Sequence, residues 1–193
     1  MLIGGAVLGA AALAFALRRL DYERIPQAAV LSAAFFVSSL VTVPVGPSSV
    51  HLLLNGLMGL LLGWAAVPAI LVALVLQAVF FGFGGILVLG VNTLNLAVPA
   101  LVCAVLLGRW LRRSPGRGFL IGALAGVLGV ALTGAMVALA LALSDARYET
   151  AAWVVLATYL PLLVAEALVT GAVVAFLTRV APELVGEVVA QRG

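Results

Sequence analysis

The feature that most constrains this chain is the alternation of long apolar stretches with a few short clusters of arginine. Hydrophobic residues make up 65% of the sequence and charged residues only 9%. In an ordinary soluble domain about one quarter of the residues are charged. Because a surface that faces water on every side cannot be built from this composition, the sequence predicts an all-α membrane protein, a bundle of several transmembrane helices.

Seven apolar segments, separated by polar turns, glycine or proline, are predicted to be the helices of a single transmembrane domain that spans residues 1–193. They cover about 2–17, 27–43, 50–63, 66–82, 92–110, 118–143 and 151–178. At about 1.5 Å per residue the third reaches only about 21 Å, which is less than a hydrocarbon core of about 30 Å. We therefore expect its start to be recessed, with the preceding loop folded into the protein.

The distribution of arginine predicts the orientation in the membrane. All ten basic residues are Arg, and nine of them fall in three clusters. The clusters are Arg18, Arg19 and Arg24; Arg109, Arg112, Arg113 and Arg117; and Arg179 and Arg192. With seven crossings, the N terminus outside and the C terminus in the cytoplasm, all three face the cytoplasm, where arginine is favoured. The net charge of +3 is thus explained by membrane orientation and does not indicate a nucleic-acid partner.

Polar side chains within the predicted spans are few, and most of them fall toward the outer end of the bundle. They surround His51, the only histidine of the sequence. The neighbours are Ser48, Ser49, Asn55, Gln77, Asn92 and Asn95. An outward-facing polar cluster among apolar helices predicts a pocket that captures a ligand from outside. A lone histidine is more often structural than a ligand, and one histidine does not hold a divalent metal selectively, so the residues alone leave the ligand open.

The sequence contains no catalytic constellation, neither a Ser/His/Asp set nor a phosphate-binding loop, so an enzyme is not predicted. If ATP powers transport, another subunit must hydrolyse it.

Glu166 lies midway along the last predicted span, and no span contains a basic residue with which it could pair. A structural hydrogen bond to a neighbouring helix is favoured over a role in transport.

Glycines at four-residue spacing allow helix backbones to approach closely. They are Gly5 and Gly9 in the first helix and Gly122 and Gly126 in the sixth. Packing within the bundle is favoured over a docking face for a second membrane subunit.

Two segments closely resemble the CbiM/NikM family: GPSSVHLLLNGLMGLLLGWAAVPAILVALVLQAVFFGFGG at 46–85 and LGVNTLNLAVPA at 89–100. The resemblance continues in LDYERIP at 20–26, LPLLVAEALVTG at 160–171 and RVAPEL at 179–184, and so covers almost the whole chain. The family comprises the substrate-capturing membrane subunits of energy-coupling-factor transporters for cobalt and nickel.

The resemblance implies a metal held by nitrogens in a nearly square-planar arrangement. The family uses the N-terminal amine, the backbone nitrogen and imidazole of a histidine at position two, and a second histidine from the loop before a short helix. His51 matches this loop ligand. The six polar neighbours would then hold its tautomer and the N-terminal segment in place. Such ligation suits both Ni(II) and Co(II), which would be transported ions, and no cofactor is implied.

The resemblance also implies partners and a location. The partners would be a transmembrane T component and ATP-binding-cassette ATPase subunits, and a small accessory membrane subunit is compatible with the family. The protein would lie in the lipid bilayer of the plasma (inner) membrane of a prokaryote. Two alternatives stay open: an accessory or structural membrane protein in which His51 only caps a helix, and a capture subunit for an organic micronutrient.

The sequence departs from the family at its start. Members begin Met-His, whereas this chain begins Met1-Leu2-Ile3 and enters the first helix at once, so that three of the four expected nitrogens are absent. Either the chain starts about ten residues late or this member binds metal poorly, and we favour the late start because the family pattern is kept from Asp21 onward. The 193-residue form should then bind Ni(II) or Co(II) weakly, and a restored Met-His extension should rescue binding.

Overall fold

The computed structural model describes residues 2–45, 48–82, 84–144 and 149–186, and almost all of them are helical. The α-helices are α1 (Leu2–Arg18), α2 (Ile25–Ser38), α3 (Asn55–Leu62), α4 (Ala66–Phe81), α5 (Leu89–Arg113), α6 (Gly118–Ser144), α7 (Glu149–Val180) and α8 (Pro182–Gly186). Two strands, β1 (Thr42–Val45) and β2 (Ser48–His51), lie between α2 and α3. The predicted fold class, a helical membrane bundle, is confirmed.

The chain between α2 and α3 forms a two-stranded antiparallel hairpin in which Thr42 lies opposite His51. The prediction that one helix continues to residue 43 and that the next begins at 50 is therefore wrong. Proline explains much of the difference, since Pro44 and Pro47 lack the amide hydrogen that a helix needs and disfavour helical geometry at the residue before each. The segment is also rich in β-branched residues, which favour extended backbone.

α3 and α4 form a helical hairpin around Gly63, whose φ of 55° and ψ of −122° end α3. Residues 55–81 are together long and apolar enough to cross a membrane. A straight helix of this length would place Asn55 and Phe81 about 40 Å apart. Instead the Phe81 ring stacks on Phe36, near the end of α2, with centroids 5.4 Å apart. The end of α4 therefore returns to the β-hairpin, beside which α3 begins.

α1, α3 and α5 run in the same direction. Asn55, the first residue of α3, donates to the Leu96 carbonyl near the start of α5. The first turns of α1 pack on the first turn of α5. Just beyond the end of α1, the Arg19 guanidinium lies 5.6 Å from the Trp64 ring at the turn between α3 and α4. The C-terminal ends of α1 and α3 therefore lie together, and α5 runs toward the same side.

α6 begins where α5 ends, and α7 then returns beside α6. Gly118 of α6 lies against Thr178 of α7, and Gly126 lies against Glu166, so the two helices are antiparallel. α7 thus ends on the same side as α1, α3 and α5. We call this side the basic end, after Arg18, Arg19, Arg112, Arg113 and Arg179. The opposite side, with β1, β2 and the start of α3, is the hairpin end.

By length and apolar composition, four helical stretches of the described residues could cross a membrane: Asn55–Phe81, Ile86–Arg113, Pro115–Ser144 and Leu156–Val180. The first of them folds back at Gly63. The chain bends by 108° between α1 and α2, and the two would make a fifth if they are counted as one span. The predicted seven crossings, and the N terminus outside, stay predictions. What the contacts do show is that the arginines of α1, α5 and α7 lie at one end of the bundle.

The short helix α3 is the centre of the bundle, and all eight of its residues are buried. A side chain at Gly56 would meet the Ala125 carbonyl of α6, and one at Gly59 would lie 2.6 Å from the carbonyl carbon of Ala100 in α5. Glycine at these positions therefore allows three backbones to touch. Close contacts of the same kind confirm intramolecular packing for Gly5 and Gly9 against α5, and for Gly122 and Gly126 against α7.

Candidate metal-capture site

His51 is the last residue of β2 and is half-buried at the hairpin end. Its Nδ1 lies 3.1 Å from the Leu52 carbonyl oxygen. A carbonyl can only accept a hydrogen bond, so Nδ1 carries the proton in this contact and Nε2 keeps a free lone pair. In metal sites the second ring nitrogen of a ligating histidine commonly donates to a carbonyl in this way, which fixes the tautomer and the ring orientation.

The three residues after His51 form a tight buried turn into α3. The Leu52 N–H continues the strand pairing by donating to the Val41 carbonyl at 3.3 Å. Leu54 has a φ of 46°, and among the described residues no other non-glycine residue is left-handed. A branched side chain adopts this conformation only when neighbouring contacts hold it there, because the left-handed region costs roughly 1–2 kcal/mol.

Glu166 supplies those contacts from α7. Its Oε1 accepts hydrogen bonds from the Leu53 N–H and from the Leu54 N–H, the latter at 2.9 Å. The Glu166 side chain is fully buried. Leu54 is the N-cap of α3 and Leu53 precedes it, so neither amide has an acceptor within the helix, and one oxygen of Glu166 satisfies both where water is excluded.

Asn55 joins three helices. The sequence predicts a helix from residue 50, which would place Asn55 one turn from His51 on the same face, but this is wrong because His51 lies on β2, before α3 begins. The Asn55 Nδ2 donates to the Leu96 carbonyl at 3.3 Å and to Thr133 Oγ1 at 2.8 Å, while Oδ1 accepts the Gly56 N–H at 3.0 Å. The amide is thus occupied in holding α3 against α5 and α6.

The other predicted neighbours also lie toward the hairpin end. Gln77 is buried near the end of α4, and its Nε2 has no hydrogen-bond partner within the described part of the chain. Asn92 and Asn95 lie in the first two turns of α5, half-buried and buried respectively. Ser48 and Ser49 are on β2, and their side chains lie outside the described structure. That any of these five side chains contacts the imidazole of His51 stays a proposal.

Sequence reasoning did not find the partners of two charged residues. Glu166 bonds to amides 112 and 113 residues away, which no local pattern reveals. The sequence predicts Arg24 in a polar cytoplasmic loop, but it is only 9% exposed and its Nη2 donates to the Leu61 carbonyl at the end of α3, at 3.2 Å. The two residues therefore hold opposite ends of the same buried helix by hydrogen bonds to its backbone.

The described residues include no group of three or more His, Cys, Asp or Glu side chains that could hold a metal ion. Cys103 is buried, and its Sγ lies 3.5 Å from the Ala125 carbonyl oxygen, so it is a packing residue. Within the part of the chain that the structure describes, His51 is therefore the candidate side-chain ligand.

Comparison with known proteins gives consistent results. Residues 1–184 match the family model CbiM, described as the cobalt uptake substrate-specific transmembrane region. A protein of Haemophilus influenzae whose name assigns it to metal transport is 42% identical over 187 residues, which cover 95% of this chain and 91% of that protein. The fused nickel transport protein NikMN of Rhodobacter capsulatus is 45% identical over 92 residues, 46% of this chain and 26% of that protein.

The fold agrees with these sequence matches. The crystal structure of a transition metal transporter superposes with a TM-score of 0.77 at 28% identity, and the match covers 100% of this chain and 96% of that chain. A family model that extends over nearly the whole chain, a close relative of similar length and a common fold lead to one conclusion. The chain belongs to the CbiM family of cobalt and nickel transport membrane proteins.

Proposed function

We propose that this chain is the substrate-specific membrane subunit of an ATP-driven cobalt or nickel uptake transporter, and that it captures Co(II) or Ni(II) from outside through nitrogen ligands that include His51. The observation that carries the proposal is the hydrogen bond from His51 Nδ1 to the Leu52 carbonyl. It leaves Nε2 of the only histidine free to bind a metal ion. The family's description as a cobalt uptake region supports the same conclusion.

The site is suited to a borderline transition metal. Imidazole and other nitrogen donors suit Ni(II) and Co(II) and are less suited to Mg(II) or Ca(II), which prefer oxygen. The half-buried ring stands at the hairpin end, at the mouth of an apolar bundle. We propose that the polar neighbours support the imidazole and its ligand from around it: Ser48, Ser49, Gln77, Asn92 and Asn95. Asn55 supports the site indirectly, by fixing the start of α3.

The energy for uptake is proposed to come from other subunits. The sequence has no phosphate-binding loop that could hold ATP. The Rhodobacter relative is a fused nickel transport protein, and this chain matches only 26% of it. We propose that the chain assembles with a transmembrane T component and ATP-binding-cassette ATPase subunits, and that the basic end faces them.

The test is uptake of radioactive nickel or cobalt by cells that express the transporter with His51→Ala. We expect accumulation to be lost, because the free imidazole nitrogen is removed. Val30→Ile is the control, since Val30 is 69% exposed in the middle of α2, away from His51 and from the basic end, and it should accumulate metal as the wild type does. Immunoblots of membrane fractions establish equal amounts of each variant. Wild-type uptake by His51→Ala, or uptake that an organic micronutrient competes away, would contradict the proposal.

A further inference from the structure

We infer that Glu166 is a positioning residue for metal capture, which fixes the orientation of the His51 imidazole through the backbone of the intervening turn. The inference rests on the proposed role of His51 as a ligand. Glu166 itself contacts neither the ring nor a bound ion. Its Oε1 accepts the N–H groups of Leu53 and Leu54, which follow His51 by two and three residues.

The link between the carboxylate and the ring is a single peptide plane. The Leu52 carbonyl and the Leu53 N–H belong to the same peptide group, which is planar and trans, so the two point in opposite directions. On one side the carbonyl oxygen lies 3.1 Å from His51 Nδ1. On the other side the N–H donates to Glu166. Holding the N–H therefore aims the carbonyl, and the carbonyl aims the imidazole.

The turn needs this acceptor because water cannot replace it. Leu52, Leu53 and Leu54 are all buried, and a buried N–H without a partner is costly. Leu54 is also held in the left-handed conformation, which an unsupported leucine would leave. If the acceptor is withdrawn, we expect the peptide plane to rotate and the ring to lose its fixed orientation.

The acceptor stands on a rigid base. At Gly126 the backbone of α6 packs directly on the Glu166 carbonyl of α7, and a side chain there would clash. The Glu166 backbone is therefore fixed by helix packing, independently of the turn. Because the packing of α6 fixes Glu166, it is Glu166 that positions the turn after His51, and the turn does not position Glu166.

Two conservative variants separate the length of the side chain from its charge. Glu166→Gln keeps an acceptor oxygen at the same reach without charge. Glu166→Asp keeps the carboxylate but withdraws it by one methylene. If Glu166 positions the turn by its reach, Glu166→Gln should keep the wild-type Ni(II) affinity and ring orientation, and Glu166→Asp should lose both. If its role depends on negative charge, Glu166→Asp should keep them and Glu166→Gln should lose them. Glu183→Gln and Glu183→Asp are matched controls, because Glu183 is an exposed acid of α8.

The measurements use the purified 193-residue chain in detergent. Calorimetric titration with Ni(II) should show affinity lower by about 10- to 100-fold in Glu166→Asp, as is typical when a supporting contact of a ligating histidine is lost. NMR of the chain with labelled histidine gives one imidazole, because His51 is the only histidine. Without metal, its signal should shift or broaden in Glu166→Asp and stay unchanged in Glu166→Gln and both controls.

The imidazole signal decides the inference even where no metal binds. If Glu166→Asp leaves the signal and the affinity as in the wild type, or if Glu166→Gln changes them as much as Asp does, the positioning role is wrong. Unchanged Ni(II) affinity in His51→Ala would instead overturn the proposed function, while the metal-free spectra would still show whether Glu166 orients the ring.

Discussion

A single amide, that of Asn55, connects three helices inside the bundle. The amide is fully buried, and its Nδ2 reaches both the Leu96 carbonyl and the Thr133 hydroxyl. Hydrogen bonds between membrane helices are worth less than their burial suggests, because the unfolded chain in the membrane also finds partners. The value of Asn55 therefore lies in fixing the position of α3 as well as in the energy of the contact.

A double-mutant cycle between Asn55→Ala and Thr133→Val tests this contact. Because Thr133→Val removes the hydroxyl at nearly constant volume, the cycle isolates the hydrogen bond from the cavity that Asn55→Ala creates. We expect a coupling free energy of about 0.6 kcal/mol and no more than about 1.7 kcal/mol, measured by reversible unfolding in mixed micelles. Strict additivity of the two changes would show that the 2.8 Å contact contributes nothing to stability.

The candidate site shows which residues a sequence can reveal. His51 is found because a lone imidazole in an apolar chain is conspicuous and lies in a recognisable motif. Its support by Glu166 is not found, since the acceptor is in α7 and its donors are backbone amides, which every residue has. A buried acid without a basic partner signals that some donor must exist, but only the fold identifies it.

At the scale of elements, boundaries agree with the sequence where a helix ends in charge or glycine. The prediction of 2–17 for α1 compares with Leu2–Arg18 in the structure, and that of 118–143 for α6 compares with Gly118–Ser144. The β-hairpin was missed because residues 42–51 contain only three apolar residues, Val43, Val45 and Val50, among prolines, a glycine and serines, which indicate a loop. The pairing of Thr42 with His51 depends on contacts across that loop, which local composition does not reveal.

α3 also yields a prediction about packing, since it can sit in the bundle only if its glycines stay small. In Gly59→Ala the added methyl would lie 2.6 Å from the Ala100 carbonyl carbon, and backbone cannot move aside as a flexible side chain can. We expect α3 and α5 to separate, with a loss of stability of about 1–3 kcal/mol or more and a lower yield of folded protein. Gly4→Ala is the control, because within the described residues its methyl would meet nothing within 4 Å. Comparable unfolding midpoints for the two variants would contradict the close approach of α3 and α5.

At the scale of the whole molecule, the C-terminal ends of four helices lie on the same side of the bundle as the arginines of α1, α5 and α7. The helices α1, α3, α5 and α7 end on the same side, which carries Arg18, Arg113 and Arg179. The sequence alone placed these arginines together only by assuming seven crossings. In the structure they lie together because of helix contacts, such as that of Gly118 with Thr178, in which charge has no part. An excess of arginine at one end is what the cytoplasmic side of a membrane protein shows.

The orientation that follows can be tested with two introduced cysteines at opposite ends of α5. Leu87→Cys lies just before α5 at an 84% exposed position, and Gly116→Cys lies just after it, where a side chain meets nothing within 4 Å. A membrane-impermeant thiol reagent added to intact cells should label Leu87→Cys, and should label Gly116→Cys only after the membrane is permeabilised. The unmodified chain provides the background, because its one cysteine, Cys103, is fully buried and should not react. The opposite labelling would mean that the protein is inserted in the opposite orientation. His51 would then lie on the cytoplasmic side, where it could not capture metal from outside. Labelling of both positions in intact cells would mean that α5, at 25 residues and about 37 Å, does not cross the membrane.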